Sequence, residues 1–196
     1  MTPTENDKQD LLLSCRFGDL DDVQHFINTF PHESLDGVQD DNGNSVLHMA
    51  AANGHTDILA YLLPRVSPSL LTHRNNAGST ALHWAAVNRH LDVAQMLVRF
   101  SPGPGVDLID IRNEAGRSPL GEAEIAGWDE GARWFVQVMH LGEVREAEAE
   151  AEEEGQGEKT PVDPSHAIEV EIQDSDGQMA RMTINTKPSL SDREPS

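Results

Sequence analysis

The chain has 196 residues, of which 37% are hydrophobic and only 5% aromatic, and its net charge is −20. That is enough for one ordinary domain and a tail, without the material for a large aromatic-filled core. The charge repels nucleic acid and anionic membranes and attracts basic proteins, or serves solubility alone; no apolar run approaches the roughly 20 residues a membrane span needs.

The charge is unevenly spread. Residues 1–142 carry 19 acids and 9 bases and residues 143–196 carry 15 and 5, so each part contributes −10. The start, MTPTENDKQD, is polar and acidic, unlike a signal or transit peptide. Residues 1–7 are expected to be disordered. Cys15 is the single cysteine and cannot make an internal disulfide, which suits a reducing compartment.

From residue 8 a repeat is legible. Gly18-Asp19-Leu20-Asp21, followed by Val23, Phe26 and Ile27, matches Gly54-His55-Thr56-Asp57, followed by Leu59, Leu62 and Leu63. This first unit lacks a recognisable turn and first-helix motif and reads as a cap. Gly43, Gly78 and Gly116 are spaced by 35 and 38 residues, as are Leu47, Leu82 and Leu120, and Ala50, Ala85 and Ala123. Such a period with helix-turn-helix patterning signals a solenoid. The fold class is therefore all-α: about four helix-turn-helix units with β-turn tips over residues 8–142, then an acidic C-terminal tail.

Ser45, Thr80 and Ser118 stand where helix N-caps belong, and Pro119 takes a first helical position. The second helices are expected to bury Ile58, Leu59, Leu62 and Leu63, then Val93, Ala94, Leu97 and Val98, then Ala132, Phe135 and Val136. Arg89 stands where Gly54 and Gly127 end the other first helices. A non-glycine residue there costs about 1 kcal/mol if it is left-handed, so that turn is expected to be distorted or to serve contact. SPGPG at 101–105 enlarges one loop and explains the longer spacing. In the tail, 143–196, seven glutamates fall between 143 and 154, where the last helix is expected to extend and fray. Alternation around Asp-Gly in 167–184 predicts a hairpin, expected to be loosely held or to order on a partner.

The histidines invite a catalytic or metal reading, yet His48 and His83 are equivalent between units, as are His55 and His90. That regularity is structural, whereas metal ligands would converge from different places. Cys15 aligns with Ala51 on the packed side of a helix and reads as an inert buried thiol. The glycines are turn glycines and form no phosphate loop. The residues therefore point away from an enzyme and require no cofactor.

ALHWAA, VLHMAAANGH and the turn glycines resemble the ankyrin repeat over residues 8–142. Within that family, the run from GSTALHWA through IRNEAGRSPLGEAEIAG into an acid-rich tail resembles dedicated fungal chaperones of small-subunit ribosomal protein S-three, a KH-domain protein. In the last repeat Gly121 replaces the histidine, and Glu122 and Glu124 replace apolar and alanine positions. The resemblance implies a non-enzymatic module that shields a newly made basic ribosomal protein during ribosome biogenesis. It implies action in cytoplasm and nucleus, as a monomer forming a one-to-one or similar complex, with no direct contact with nucleic acid or membrane. An adaptor in transcriptional or ubiquitin regulation, and a chaperone of another basic protein such as histones, remain open alternatives. The candidate partner-binding residues lie on turn tips and inner helices: Asp40, Asp41, Asn42, Asn44, Met49, Asn53, Asn76, Trp84, Val87, Asn88, Glu114, Arg117, Glu122, Glu124 and Ile125. Trp84 is the leading anchor, and the acids among them are the expected charge partners of a basic client.

Overall fold

The computed structural model of the chain describes residues 2–140 and the strand residues 168–173 and 179–184. The chain divides into two compact units, Met1–Glu148 and Ala149–Ser196. In the first unit, helix α1 (Glu5–Phe17) pairs with α2 (Leu20–Thr29), α3 (Val46–Asn53) with α4 (Thr56–Leu62), and α5 (Ala81–Val87) with α6 (Leu91–Arg99). Helix α7 (Pro119–Ile125) is followed by α8, which covers 129–140 within the described residues. The inner helices pack in the order α1, α3, α5, α7, and α2, α4 and α6 pack in the same order behind them. This is the expected solenoid. Ala50, Ala51, Ala85 and Ala86 are fully buried, so small side chains let the inner helices approach.

Residues expected to be disordered at the start are partly helical. The Thr4 N–H and hydroxyl each donate to Asp7 Oδ2 at 2.7 Å, and the Asp7 N–H donates to Thr4 Oγ1 at 3.3 Å. This reciprocal cap starts α1 at Glu5. The bonds from Thr4 hold the Asp7 carboxyl below its ordinary value. Connectors contribute to the core as well. Short 3₁₀ turns at His32–Gly37, Pro68–Thr72 and Gly105–Ile109 bury Leu35, Leu70, Leu71, Leu108 and Ile109. Burying one such side chain contributes about 1.5–3 kcal/mol.

Each turn tip is built the same way. The side-chain oxygen of Asp40 accepts from the N–H groups of Asn42 and Asn44 at 2.9 and 2.8 Å. Asn75 does so for Ala77 and Ser79, both at 3.0 Å, and Asn113 for Ala115 and Arg117 at 3.1 and 3.0 Å. Histidines then tie tip to helix and unit to unit. His48 Nδ1 accepts from the Ser45 N–H at 3.2 Å, so the proton sits on Nε2, which donates to the Ser79 carbonyl at 2.9 Å. His83 repeats this between the Thr80 N–H at 3.1 Å and the Arg117 carbonyl at 3.1 Å. Burial pushes His48 down to about 4 and lowers His83. Both rings are therefore neutral at neutral pH, as the bonding requires.

A second pair of histidines reaches back one unit. His55 Nε2 donates to the Arg16 carbonyl at 2.9 Å and His90 Nε2 to the Ala52 carbonyl at 3.2 Å. Gly54 leaves room for that ring: a Cβ there would sit 2.8 Å from His90 Nδ1. In the last unit Trp128 occupies the histidine position, and in the unit before it Arg89 occupies the glycine position. Arg89 is left-handed, with φ 64°, and its Nη2 donates forward to the Ala126 carbonyl. The inter-unit tie survives with its direction reversed.

One expected core residue is not in the core. Val136 aligns with Ile27, Leu63 and Val98, which are buried, yet it is 55% exposed. In the earlier units this position is covered by the next helix pair, and among the described residues no pair follows α8. The second unit is a hairpin of antiparallel strands β1 (Ile168–Gln173) and β2 (Met179–Ile184), paired from Ile168–Ile184 to Gln173–Met179. It matches the alternation seen in the sequence. The Asp-Gly segment between the strands and the glutamate run at 143–154 lie outside the described residues.

Two measurements test this framework. The folded His48 pKa lies below its unfolded value of about 6.5, so its contribution is complete above that pH and is lost as pH falls toward about 4. The stability difference between wild type and His48→Gln, measured by urea unfolding, should therefore shrink between pH 7 and pH 5; a constant difference would contradict the buried neutral ring. At the reversed tie, Arg89→Ala keeps the left-handed backbone but loses the bond, whereas Arg89→Gly loses the bond and relieves the strain. Unfolding should show the glycine variant more stable than the alanine variant by about 1 kcal/mol; equal stability would remove the strain argument.

Candidate partner-binding face

Two hollows flank Trp84 on the inner-helix face. The first, about 320 Å³, is lined by Asp40, Asn42, Asn44, His48, Met49, Ala52, Asn53, Trp84 and Asn88, together with Arg16. The second, about 410 Å³, is lined by Ala77, Ser79, His83, Trp84, Val87, Asn113, Glu114, Ala115, Arg117 and Glu122. Most of the candidate residues are thus brought together. Met49 and Trp84 are half-buried at equivalent positions of successive inner helices; Met49 lines the first hollow and Trp84 lines both. The Asn53 and Asn88 amides are held on the helix surface by bonds to the Met49 and Trp84 carbonyls at 2.8 and 3.0 Å. Asp41 and Asn76 stand at the tips, joined by Asn76 Nδ2 donating to the Asp41 carbonyl at 3.0 Å.

The acids divide by role. Asp41 and Glu114 are exposed at the rim. Asp40 is engaged within its own turn and also accepts from Asn44 Nδ2 at 2.9 Å, so its carboxylate is not open to a client. Glu122 is likewise spent internally: its buried Oε1 accepts from Arg117 Nε at 2.9 Å and Asn113 Nδ2 at 2.8 Å. A buried carboxylate needs such partners, so Glu122 and Arg117 are a bracing pair. Glu124 does not join the face. It aligns with Cys15, Ala51 and Ala86, which are fully buried, and is itself exposed because no further helix pair among the described residues covers it. Ile125 is on the inner helix, outside both hollows, and is 66% exposed. Arg16 was absent from the expected set, although the alignment of Cys15 with Ala51 places it opposite Ala52 and Val87.

Burial pushes the Cys15 thiol up to about 12, so it stays protonated and is no nucleophile. Among the described residues no three His, Cys, Asp or Glu side chains converge as metal ligands do. No described helix is long and apolar enough to cross a membrane. Tandem turn tips over a row of inner helices define a protein-binding repeat solenoid.

The comparisons agree. The family model for ankyrin repeats, three copies, matches residues 11–110. The chain belongs to the ankyrin-repeat family. An ankyrin repeat-containing protein of Schizosaccharomyces pombe is 39% identical over 119 residues, covering 61% of this chain and 77% of that protein. Ankyrin repeat-containing protein YAR1 of Saccharomyces cerevisiae is 35% identical over 68 residues, covering 33% of this chain and 34% of that protein. Among solved structures, a chain of the yeast ribosomal protein Rps3 in complex with its chaperone Yar1 matches with TM-score 0.64 and 32% identity, over 69% of this chain and 94% of that one.

Trp84 also carries an unmet demand. Its Nε1 is buried and has no hydrogen-bond partner among the described residues. An unsatisfied buried donor costs about 1–3 kcal/mol. Trp84→Phe removes that N–H and keeps most of the ring. Urea unfolding should show the variant at least as stable as wild type, and a loss of more than about 1 kcal/mol would mean the N–H is satisfied after all.

Proposed function

We propose that this chain is a non-enzymatic, dedicated chaperone of small-subunit ribosomal protein S-three, holding the newly made basic protein soluble until it is delivered. The observation that carries this is the structural likeness to the Rps3–Yar1 complex, which spans 94% of the matched chain at 32% identity. The geometry supplies a mechanism. Trp84 and Met49 offer apolar anchors beside two hollows, and a helix of the client laid along the inner helices would set its apolar side on them. Asp41 and Glu114 stand at the rim, and the net charge of −20 draws a basic client from a distance. Exposed ion pairs contribute only about 0–1 kcal/mol each. Affinity therefore comes from the buried anchors, and charge speeds encounter. The acidic segment after residue 142 extends the same field. Such a client is met in the cytoplasm and accompanied to the nucleus, and we place the chain in both.

The test is co-expression with the KH-domain ribosomal protein, followed by size exclusion at about 0.1 M and about 0.5 M salt, where the screening length falls from about 10 Å to about 4 Å. A soluble complex that weakens with salt, and weakens at least tenfold on Trp84→Ala, is the expected result. No complex at either salt would reject the assignment, and preferential capture of histones would transfer the role to a different basic client.

A further inference from the structure

The face around Trp84 continues into the first unit. By register, Leu13 of α1 stands where Met49 and Trp84 stand in the next two units, and Phe17 stands where Asn53 and Asn88 stand. Leu13 is 47% exposed and Phe17 is 73% exposed. Farther along the same inner face, Val87 is 41% and Ile125 is 66% exposed. Among the described residues, the large apolar side chains left in water are these four and Val136 on the uncovered end. Soluble chains scatter such residues singly; a row of them on one face marks a surface that something covers. A helix cap needs no exposed phenylalanine, since its task is to present polar groups at the end of the stack.

We propose that Leu13 and Phe17 are client-binding residues, so that the first unit is part of the docking stripe as well as the cap of the solenoid. The proposal rests on the client assignment above. The occupant is a basic amphipathic helix of that client. Neighbouring helices pack about 8–10 Å apart, so the four inner helices span about 30 Å, the length of a helix of about 20 residues. Along such a helix, every seventh residue advances about 10.5 Å, which matches the step from Leu13 to Met49 to Trp84. The charge around the stripe selects the partner. Helices α1 and α2 and their caps carry Glu5, Asp7, Asp10, Asp19, Asp21 and Asp22 against Lys8 and Arg16. That field favours a basic segment and disfavours a second copy of a chain of charge −20. Arg16 lies over the Phe17 ring at 5.9 Å, the one contact with a cation this ring already makes among the described residues.

The experiment uses the full chain and the full basic ribosomal protein. Dissociation constants are measured for wild type, the double variant Leu13→Ser/Phe17→Ser, and the control Val136→Ser, each first shown by circular dichroism melting to be folded. The double variant should bind at least tenfold more weakly, by the same factor at low and high salt because the lost contact is apolar, while the control binds as wild type does. Binding by the double variant equal to wild type would overturn this inference and leave the client assignment standing. Absence of wild-type binding would overturn both. A wild-type dimer that the double variant abolishes would give the stripe to self-association and overturn it as well. A double variant that does not fold would show that Leu13 and Phe17 belong to the core, which also overturns it.

Discussion

The hydrogen bond from a buried neutral histidine to the next turn is the interaction on which the stack depends. His48 takes the Ser45 N–H on one nitrogen and gives its other proton to the Ser79 carbonyl. One side chain thereby caps its own helix and fixes where the neighbouring tip stands. His83 repeats the bond one unit later, to the Arg117 carbonyl. Because the ring is buried, the bond is shielded from water and the neutral tautomer is enforced by desolvation. The spacing of the tips, and therefore the width of the hollows beside Trp84, follows from this relay.

The first and last units among the described residues meet the lack of a described neighbour differently. At the first unit, Thr4 and Asp7 satisfy the free N–H groups that no preceding turn covers. At the last, Gly121 replaces the relay histidine, and Ser118 Oγ caps α7 by accepting from the Gly121 N–H at 3.2 Å. Its tip is braced within the unit by Arg117, Asn113 and Glu122. Positions that bury alanine or cysteine in other units hold Glu124 there, since a charge is tolerated only where nothing packs on it. The same residues that read as a degenerate repeat are the adaptation of a terminal one.

Recognition and scaffolding are carried by different groups. The buried histidines, the Asp40, Asn75 and Asn113 turns and the Glu122–Arg117 pair have their bonding capacity engaged within and between the units. What remains presented outward is Trp84 between its hollows, the exposed apolar side chains of the inner helices, and the rim carboxylates of Asp41 and Glu114. A surface of this composition binds by shape and apolar burial, with charge acting over longer range.

Much of this was legible in the sequence because a repeat writes the same local physics several times. The glycine and leucine spacings, the N-cap residues and the Leu-His-x-Ala pattern located the helices, the tips and Trp84, since each depends on neighbours within a few residues. The sequence set Arg89 at a glycine position, and the structure decided that it takes the left-handed backbone there. The tertiary structure decided what depends on the adjacent unit. Glu122 and Asp40 looked like available charges until their partners were in place. Val136 looked like core until its neighbour proved to be missing among the described residues, and that Leu13 and Phe17 stay exposed was decided only when α1 packed against α3. The sequence by itself determined the repeat, the turns and the acidic character, because these are local or compositional. Which side chains are buried, paired or presented was decided only by stacking, because exposure belongs to the space between units and not to any residue alone.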